Sequence, residues 1–162
     1  MLDPARVGFD TFPMKRETLT GGCQCGRIRY AIEVENFDAY LCHCRMCQRA
    51  SGGIAIAFVG MPADNLKWTN GLPDYYQSSP FARRGFCATC GTPLSFEYLD
   101  KADADITVGS LDDPSPFKPI SHFGVESRLE HWRDIDGLPA VRSDSNQRLT
   151  ERWMKTVGKV PN

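Results

Sequence analysis

The chain has 162 residues, a length that suits one domain with a core large enough to fold without staples. Its 41% hydrophobic and 24% charged residues exclude a disordered chain, and the longest apolar run, Ile54 to Val59, is far too short to span a bilayer. A net charge of -1, from 19 basic and 20 acidic residues, gives no overall drive toward nucleic acid or an anionic membrane surface.

The N-terminus carries Asp3 and Arg6 and no apolar stretch, which argues against a secretory signal. The first 20 residues show no periodicity and contain Pro4, Gly8 and Pro13, and residues 1–16 are set apart as an arm. Gly21-Gly22-Cys23-Gln24-Cys25-Gly26 follows, a knuckle whose glycines allow the tight turn that aims two thiols at one point. From Ile28 to Val34 apolar residues alternate with Arg29, Ala31 and Glu33, the period of a half-buried strand, and Ala39 to Cys42 is expected to pair with it.

Next comes Cys42-His43-Cys44-Arg45-Met46-Cys47, then Ser51-Gly52-Gly53 as a flexible junction. Ile54 to Val59 reads as a strand buried on both faces and ended by Pro62. Leu66–Trp68, Tyr75–Ser78, Leu94–Tyr98 and Ile106–Val108 are further short strands, with a turn at Asn70-Gly71-Leu72-Pro73 and a proline-rich loop from Asp112. His122-Phe123 marks another strand, so the fold class is mainly antiparallel β. Between Asp144 and Val157 the pattern turns helical: Leu149, Trp153, Met154 and Val157 share a face, Asp144 with Gln147 resembles a capping pair, and Gly158 can end it. The resulting division is an arm (1–16), a β domain (17–140) and a helical extension (141–162) packed on that domain.

All seven cysteines fall into three groups, Cys23/Cys25, Cys42/Cys44/Cys47 and Cys87/Cys90. An odd number without a signal peptide speaks against a disulfide framework and for metal-bound thiolates in a reducing cytoplasm. Seven thiols divide as a closed four-ligand site, Cys23, Cys25, Cys87 and Cys90, plus an open three-ligand site, Cys42, Cys44 and Cys47. The spacing Cys44-x-x-Cys47 with Cys87-x-x-Cys90 also suits a zinc ribbon, the lesser of the two readings, and spacing alone leaves both divisions open. His43, between two candidate ligands, is expected to point away from the ion, and His122 is read as structural.

Gly22-Cys23-Gln24-Cys25-Gly26, Cys42-His43-Cys44-x-x-Cys47 with Ser51-Gly52, and Arg84-Gly85-Phe86-Cys87-x-x-Cys90-Gly91 with Leu94 resemble the glutathione-dependent formaldehyde-activating enzyme family, whose domain is shared with centromere protein V. Weaker likeness continues through Tyr76, Ser78, Ser79, Leu111-Asp112-Asp113-Pro114, His122, Trp132 and Leu138-Pro139. The resemblance implies a zinc-bearing β-tent of antiparallel sheets with two zinc ions per chain. It assigns Cys23, Cys25, Cys87 and Cys90 to a structural zinc and Cys42, Cys44 and Cys47 to a catalytic one.

An open zinc held by three thiolates accepts a further thiol as its thiolate, because the metal lowers the thiol pKa. In family terms the substrate is glutathione or another thiol carrying an aldehyde, such as S-hydroxymethylglutathione, and the reaction is that of a carbon–sulfur lyase or its reverse. Arg45, Arg49, Ser51 and Gly52, with Arg83 and Arg84 nearby, are the candidates for holding an anionic substrate. No side chain stands out as a general base. Two other readings stand beside this one: a non-catalytic zinc module that binds a protein, and a chromatin or microtubule role, which the near-neutral charge disfavours. Neither nucleic acid nor membrane is expected as a partner, and homo-oligomerisation is left open.

Overall fold

Alternation of buried and exposed side chains builds the first sheet. In a computed structural model, which describes residues 16–159, β1 (Glu17–Gly22) and β2 (Arg29–Val34) form an antiparallel hairpin, and β2 also pairs with β5 (Leu66–Asn70). Tyr30, Ile32 and Val34 of β2 point inward while Arg29, Ala31 and Glu33 point away, as the period of two requires.

The second sheet has seven strands: β3 (Asp38–Cys42), β4 (Ile56–Pro62), β6 (Asp74–Ser79), β7 (Ala82–Phe86), β8 (Pro93–Tyr98), β9 (Asp103–Thr107) and β10 (Lys118–Phe123). Their order is β10-β3-β4-β9-β8-β7-β6, antiparallel throughout except for the parallel β10–β3 pair. A short helix, α1 (Arg45–Ser51), lies between β3 and β4 in the chain. The expected mainly β class holds, with ten strands in two sheets among the described residues.

One core lies between the sheets. It joins Ile28, Tyr30, Ile32 and Val34 to Val59, Met61, Leu94 and Ile106 of the larger sheet. Fully buried Tyr30 satisfies its hydroxyl on Ser110 Oγ at 2.7 Å and meets Trp68 edge-on at 5.7 Å between centroids. Burying a phenol of this size is favourable only because that hydroxyl keeps a partner. Residues opposite one another across strands share a face, so Val59 with Ile106, and Met61 two residues on, look into this core, and Ala104 opposite Met61 is buried. Phe58 and Gly60 of β4 therefore look out the other way. A second cluster forms there from Cys42, Cys47, Ile56 and Phe58, flanked by Tyr40, Cys44 and Phe96.

Several sequence expectations change. Ala39–Cys42 does not pair with the Ile28–Val34 strand; β3 pairs with β4 and β10, because residues 35–37 carry the chain from one sheet to the other. There Asn36 Oδ1 accepts from the Asp38 amide at 3.0 Å. Ser51-Gly52-Gly53 is not a loose junction: Ser51 ends α1 and Gly52 caps it at φ 70. The strand expected at Ile106–Val108 begins earlier, at Asp103, while β1 and β7 were not anticipated as strands. The arm assigned to residues 1–16 lies almost wholly outside the described residues.

The described residues divide into two compact units, one running up to Arg128 and the other from Leu129 onward. Within the second, α2 (Gln147–Thr156) is capped by Asn146, whose side chain accepts from the Leu149 amide at 3.1 Å. The anticipated Asp144–Gln147 pair is absent, since Asp144 takes the Arg142 guanidinium at 2.6 Å and Gln147 bonds Glu151. Gly158 follows the helix at φ 79 with its amide on Trp153 O, as expected of a terminator.

Candidate functional site

Two turns of similar build bring the first thiol group together. After β1, the Cys23 amide donates to Ile28 O, the Gly26 amide donates to Cys23 O, and the Ile28 amide donates to Cys23 Sγ at 3.3 Å. Between β7 and β8 the Gly91 amide donates to Cys87 O and the Cys87 amide to Thr92 O. Gly26 at φ 79 and Gly91 at φ 77 supply the left-handed residue each turn needs. The turns are tied by the Gln24 amide on Thr92 Oγ1 at 3.1 Å.

Cys23, Cys25, Cys87 and Cys90 thereby place four Sγ atoms within 4.8 Å of one another. Metal–sulfur bonds of about 2.3 Å in a tetrahedron set the sulfurs roughly 3.8 Å apart. Cys23 and Cys25 stand at 3.5 Å, Cys25 and Cys87 at 3.7 Å, so the donor set fits a tetrahedral thiophilic ion. The thiols oppose one another's ionisation. Cys90 is drawn down to about 5, chiefly by the Thr92 hydroxyl. At Cys25 the Arg27 amide acts downward, but Cys23, burial and the other thiols together outweigh it and push the thiol up to about 11. A divalent cation is what allows all four to ionise together.

The second group sits at the end of β3 and on α1. Cys44 is the N-cap, its Sγ accepting from the Cys47 amide at 3.4 Å, and Cys42 stands 3.5 Å from Cys44. Cys42, Cys44 and Cys47 lie within 4.8 Å of one another, and no histidine or acid among the described residues joins them. Burial pushes the Cys42 thiol up to about 12. For Cys44 burial also acts upward, but the Cys47 amide and the neighbouring thiols win and hold it low. Arg84, itself buried, donates from Nη2 to Cys47 Sγ at 3.3 Å and lies over the Phe96 ring at 4.9 Å. It would offset one negative charge if the three thiols were all ionised.

Gln48 anchors this arrangement from below. Its buried Nε2 reaches His43 O at 2.8 Å, Ser127 O at 3.0 Å and Ile54 O at 3.2 Å, tying α1 to three segments. Gly124, at φ 67, packs so closely that a Cβ there would lie 2.7 Å from the Cys44 nitrogen. His43 does turn away from the thiols: it is buried, and its Nε2 meets Nδ1 of His122, which is exposed on edge strand β10, at 2.9 Å.

The three-thiol cluster opens on a cavity of about 640 Å³. Its walls are largely aromatic and thioether, including Tyr40, Phe58, Met61, Phe96 and Tyr98, with Arg84, Asp103 and Asp105 as the charged residues. The four-thiol cluster contributes nothing to it.

Of the candidate substrate contacts, none of Arg45, Arg49, Ser51 and Gly52 lines this cavity, whereas Met46 and Arg84 do. Arg45 bonds Gln48, Arg49 is exposed, and Ser51 Oγ donates to Cys47 O at 2.9 Å. The amides of Gly52 and Gly53 are spent on Gln48 O and Ser51 Oγ and make no anion-binding concavity. Arg83 is committed to Glu97, at 2.6 Å, and stacks over Tyr75. Sequence reasoning passed over Gln48, Tyr40 and Asp105. Only Asp105 left a signal, in the alternation Asp103-Ala104-Asp105-Ile106, which sets the acids on the face opposite the buried Ala104 and Ile106.

The fold and thiols define a two-sheet β protein with two cysteine clusters fit to hold metal, one closed and one opening on a cavity. A profile of the glutathione-dependent formaldehyde-activating enzyme family matches residues 18–127, and the chain belongs to that family. The match ends before Trp132 and Leu138-Pro139. An uncharacterized lyase of Schizosaccharomyces pombe is 32% identical over 80 residues, which span 49% of this chain and 58% of that protein's length. A Rhodobacter sphaeroides protein known from its crystal structure superposes with a TM-score of 0.54 at 22% identity, covering 64% of this chain and 99% of that one. At that identity the likeness concerns the fold alone.

Proposed function

We propose that the protein is a zinc-dependent carbon–sulfur lyase, or synthase in reverse, acting on an aldehyde adduct of glutathione or another thiol, such as S-hydroxymethylglutathione. The observation that carries this reading is the contrast between the clusters. Four thiols converge in one, whereas Cys42, Cys44 and Cys47 lack a fourth protein ligand among the described residues and border a large cavity. Family membership and the lyase-named relative support the same reaction class.

Cys23, Cys25, Cys87 and Cys90 would hold a structural zinc that clamps the β1–β2 turn to the β7–β8 turn. Cys42, Cys44 and Cys47 would hold the catalytic one, which when bound supplies a fourth position where a substrate thiol ionises. The apolar cavity takes the adduct's carbon end and excludes water from it. Arg45 and Arg49, one turn apart on α1, are assigned to the glutathione carboxylates that extend beyond the cavity, and the Ser51-Gly52 end of α1 keeps Cys47 in place. All seven cysteines are unpaired, which suits a reducing compartment such as the cytoplasm.

A non-catalytic zinc module would have its second cluster closed, and His122, the foremost candidate to close it, is engaged with His43 instead. Metal analysis with calorimetry tests the proposal: two zinc ions per chain and saturable glutathione binding, with Cys44→Ser losing one ion and the binding together. Glutathione binding that survives the loss of that ion would overturn it.

A further inference from the structure

The sheet face that carries Cys42 also carries a carboxylate. On β3, Tyr40 stands two residues before Cys42 and so shares its face. Across the sheet, Gly60 of β4, Asp105 of β9, Phe96 of β8 and Arg84 of β7 form one cross-strand row on that same side. Asp105 lines the cavity with the three thiols and Tyr40, and the Tyr40 phenol interacts electrostatically with Asp105 as well as with Cys42 and Cys47. Tyr40 thus shares one cavity wall with the thiol cluster and the acid. Gly60 leaves that acid its room, since a Cβ there would stand 3.0 Å from Asp105 Oδ1.

From this geometry we infer that Asp105 is the proton-transfer residue of the cavity, with Tyr40 orienting it toward the adduct held beside Cys42, Cys44 and Cys47. The inference rests on the lyase reading above. With a hemithioacetal R–S–CH(OH)–R′ in place, the Asp105 carboxylate takes the hydroxyl proton. The O–H electron pair becomes the second bond of the carbonyl, the C–S bond breaks with its electrons on sulfur, and aldehyde and thiolate leave. In the other direction, protonated Asp105 gives its proton to the carbonyl oxygen as the thiolate adds to carbon.

The charge environment suits both directions. Burial raises the Asp105 carboxyl to about 6, Asp103 on the same strand adds to the rise, and the nearby Tyr40 phenol opposes it. Neighbouring elements offer Tyr40, Tyr98, the three thiols and Arg84 as their titratable or charged groups in this cavity, while β4 brings only apolar residues and glycine. Arg84, the one cation among the described residues lining the cavity, is turned to Cys47 and Phe96. A carboxylate in this setting is present in both forms near neutrality, the condition for an acid–base group.

The test uses the zinc-loaded full chain and glutathione with formaldehyde, their exchange with S-hydroxymethylglutathione read by NMR from pH 5 to 8. The wild type should speed adduct breakdown with a rate that rises through an inflection near pH 6. Asp105→Asn should lose that inflection and at least about 100-fold in rate, while the cobalt-substituted variant still answers glutathione in its visible bands and resists urea better than the wild type at pH 8. Unchanged rate and inflection, a rise in KM alone, which would make Asp105 an anchor for a substrate ammonium group, or a less stable variant would each overturn the inference. A wild type with neither exchange nor cobalt response would overturn the lyase reading and this step with it.

Discussion

Replacing Arg84 by methionine keeps an apolar stem and removes only the guanidinium that faces Cys47. Arg84 is buried, its Nη2 lies 3.3 Å from Cys47 Sγ, and its other contact is the Phe96 ring. A hydrogen bond to a charged partner contributes about 1.5–3 kcal/mol, which at about 1.4 kcal/mol per decade is roughly ten- to a hundred-fold in an equilibrium constant. Loss of an outer hydrogen bond to a metal ligand typically costs the same range, about 10- to 100-fold in metal affinity. Folding stability should change less, because the variant no longer desolvates a cation. The assay is competition for zinc against a chromophoric chelator at fixed pH, with bound metal counted per chain. Arg84→Met should release the ion of Cys42, Cys44 and Cys47 at a correspondingly lower chelator concentration and leave the other ion in place; Arg84→Lys should recover part of the loss. An affinity within about threefold of wild type, less than the one-decade minimum of that range, or equal weakening at both clusters, would refute the charge-compensation reasoning.

Cys87→Ser, at a fully buried position of the four-thiol cluster, should release one ion and cost more than about 3 kcal/mol in urea denaturation, whereas Cys44→Ser should release the other ion at a smaller cost. The raised carboxyl of Asp105 makes its contribution to stability greatest below the ordinary aspartate range and lost as pH rises through about 6. Asp105→Asn should therefore gain on the wild type by up to about 3 kcal/mol between pH 4 and pH 8, since each pKa unit is worth about 1.36 kcal/mol; a constant difference across that range would contradict the burial of the charge. Gly124→Ala forces a left-handed backbone and a Cβ against the Cys44 nitrogen, so it should lower the thermal midpoint and loosen metal at the three-thiol cluster only, as metal analysis would show. Tyr30→Phe should cost about 1 kcal/mol by chemical denaturation, the worth of the hydrogen bond to Ser110.

What the sequence revealed and what it hid follow from how far each signal reaches along the chain. The thiol groups stood out because ligands must converge, and the alternation of β2 was plain because Tyr30, Ile32 and Val34 are buried on one side. Spacing left Cys44/Cys47 with Cys87/Cys90 as open as the observed grouping, since which turns meet is decided by strand order. Strand β7 was hidden behind Arg83, Arg84 and Gly85: a buried arginine serving a thiol looks the same in sequence as a solvated one. Helix α1 was missed because a cysteine, Cys44, fills the N-cap place where serine, threonine, aspartate or asparagine is usual. The pairing of β3 was misread because the crossover at residues 35–37 has no more turn signal than a hairpin would. Arg45 and Arg49 drew attention by lying next to the thiols in sequence, while the cavity is walled by side chains from strands far along the chain.

The central claim is that the cluster of Cys42, Cys44 and Cys47 holds a metal open to an outside thiol. Replacing zinc by cobalt and titrating with glutathione while following the thiolate-to-cobalt bands measures this directly. A saturable change in those bands, retained in Arg49→Ala with weaker affinity and abolished in Cys44→Ser, is the predicted result. Bands that stay fixed in fully loaded protein, with glutathione and with smaller thiols alike, would mean that both clusters are closed and would contradict the claim.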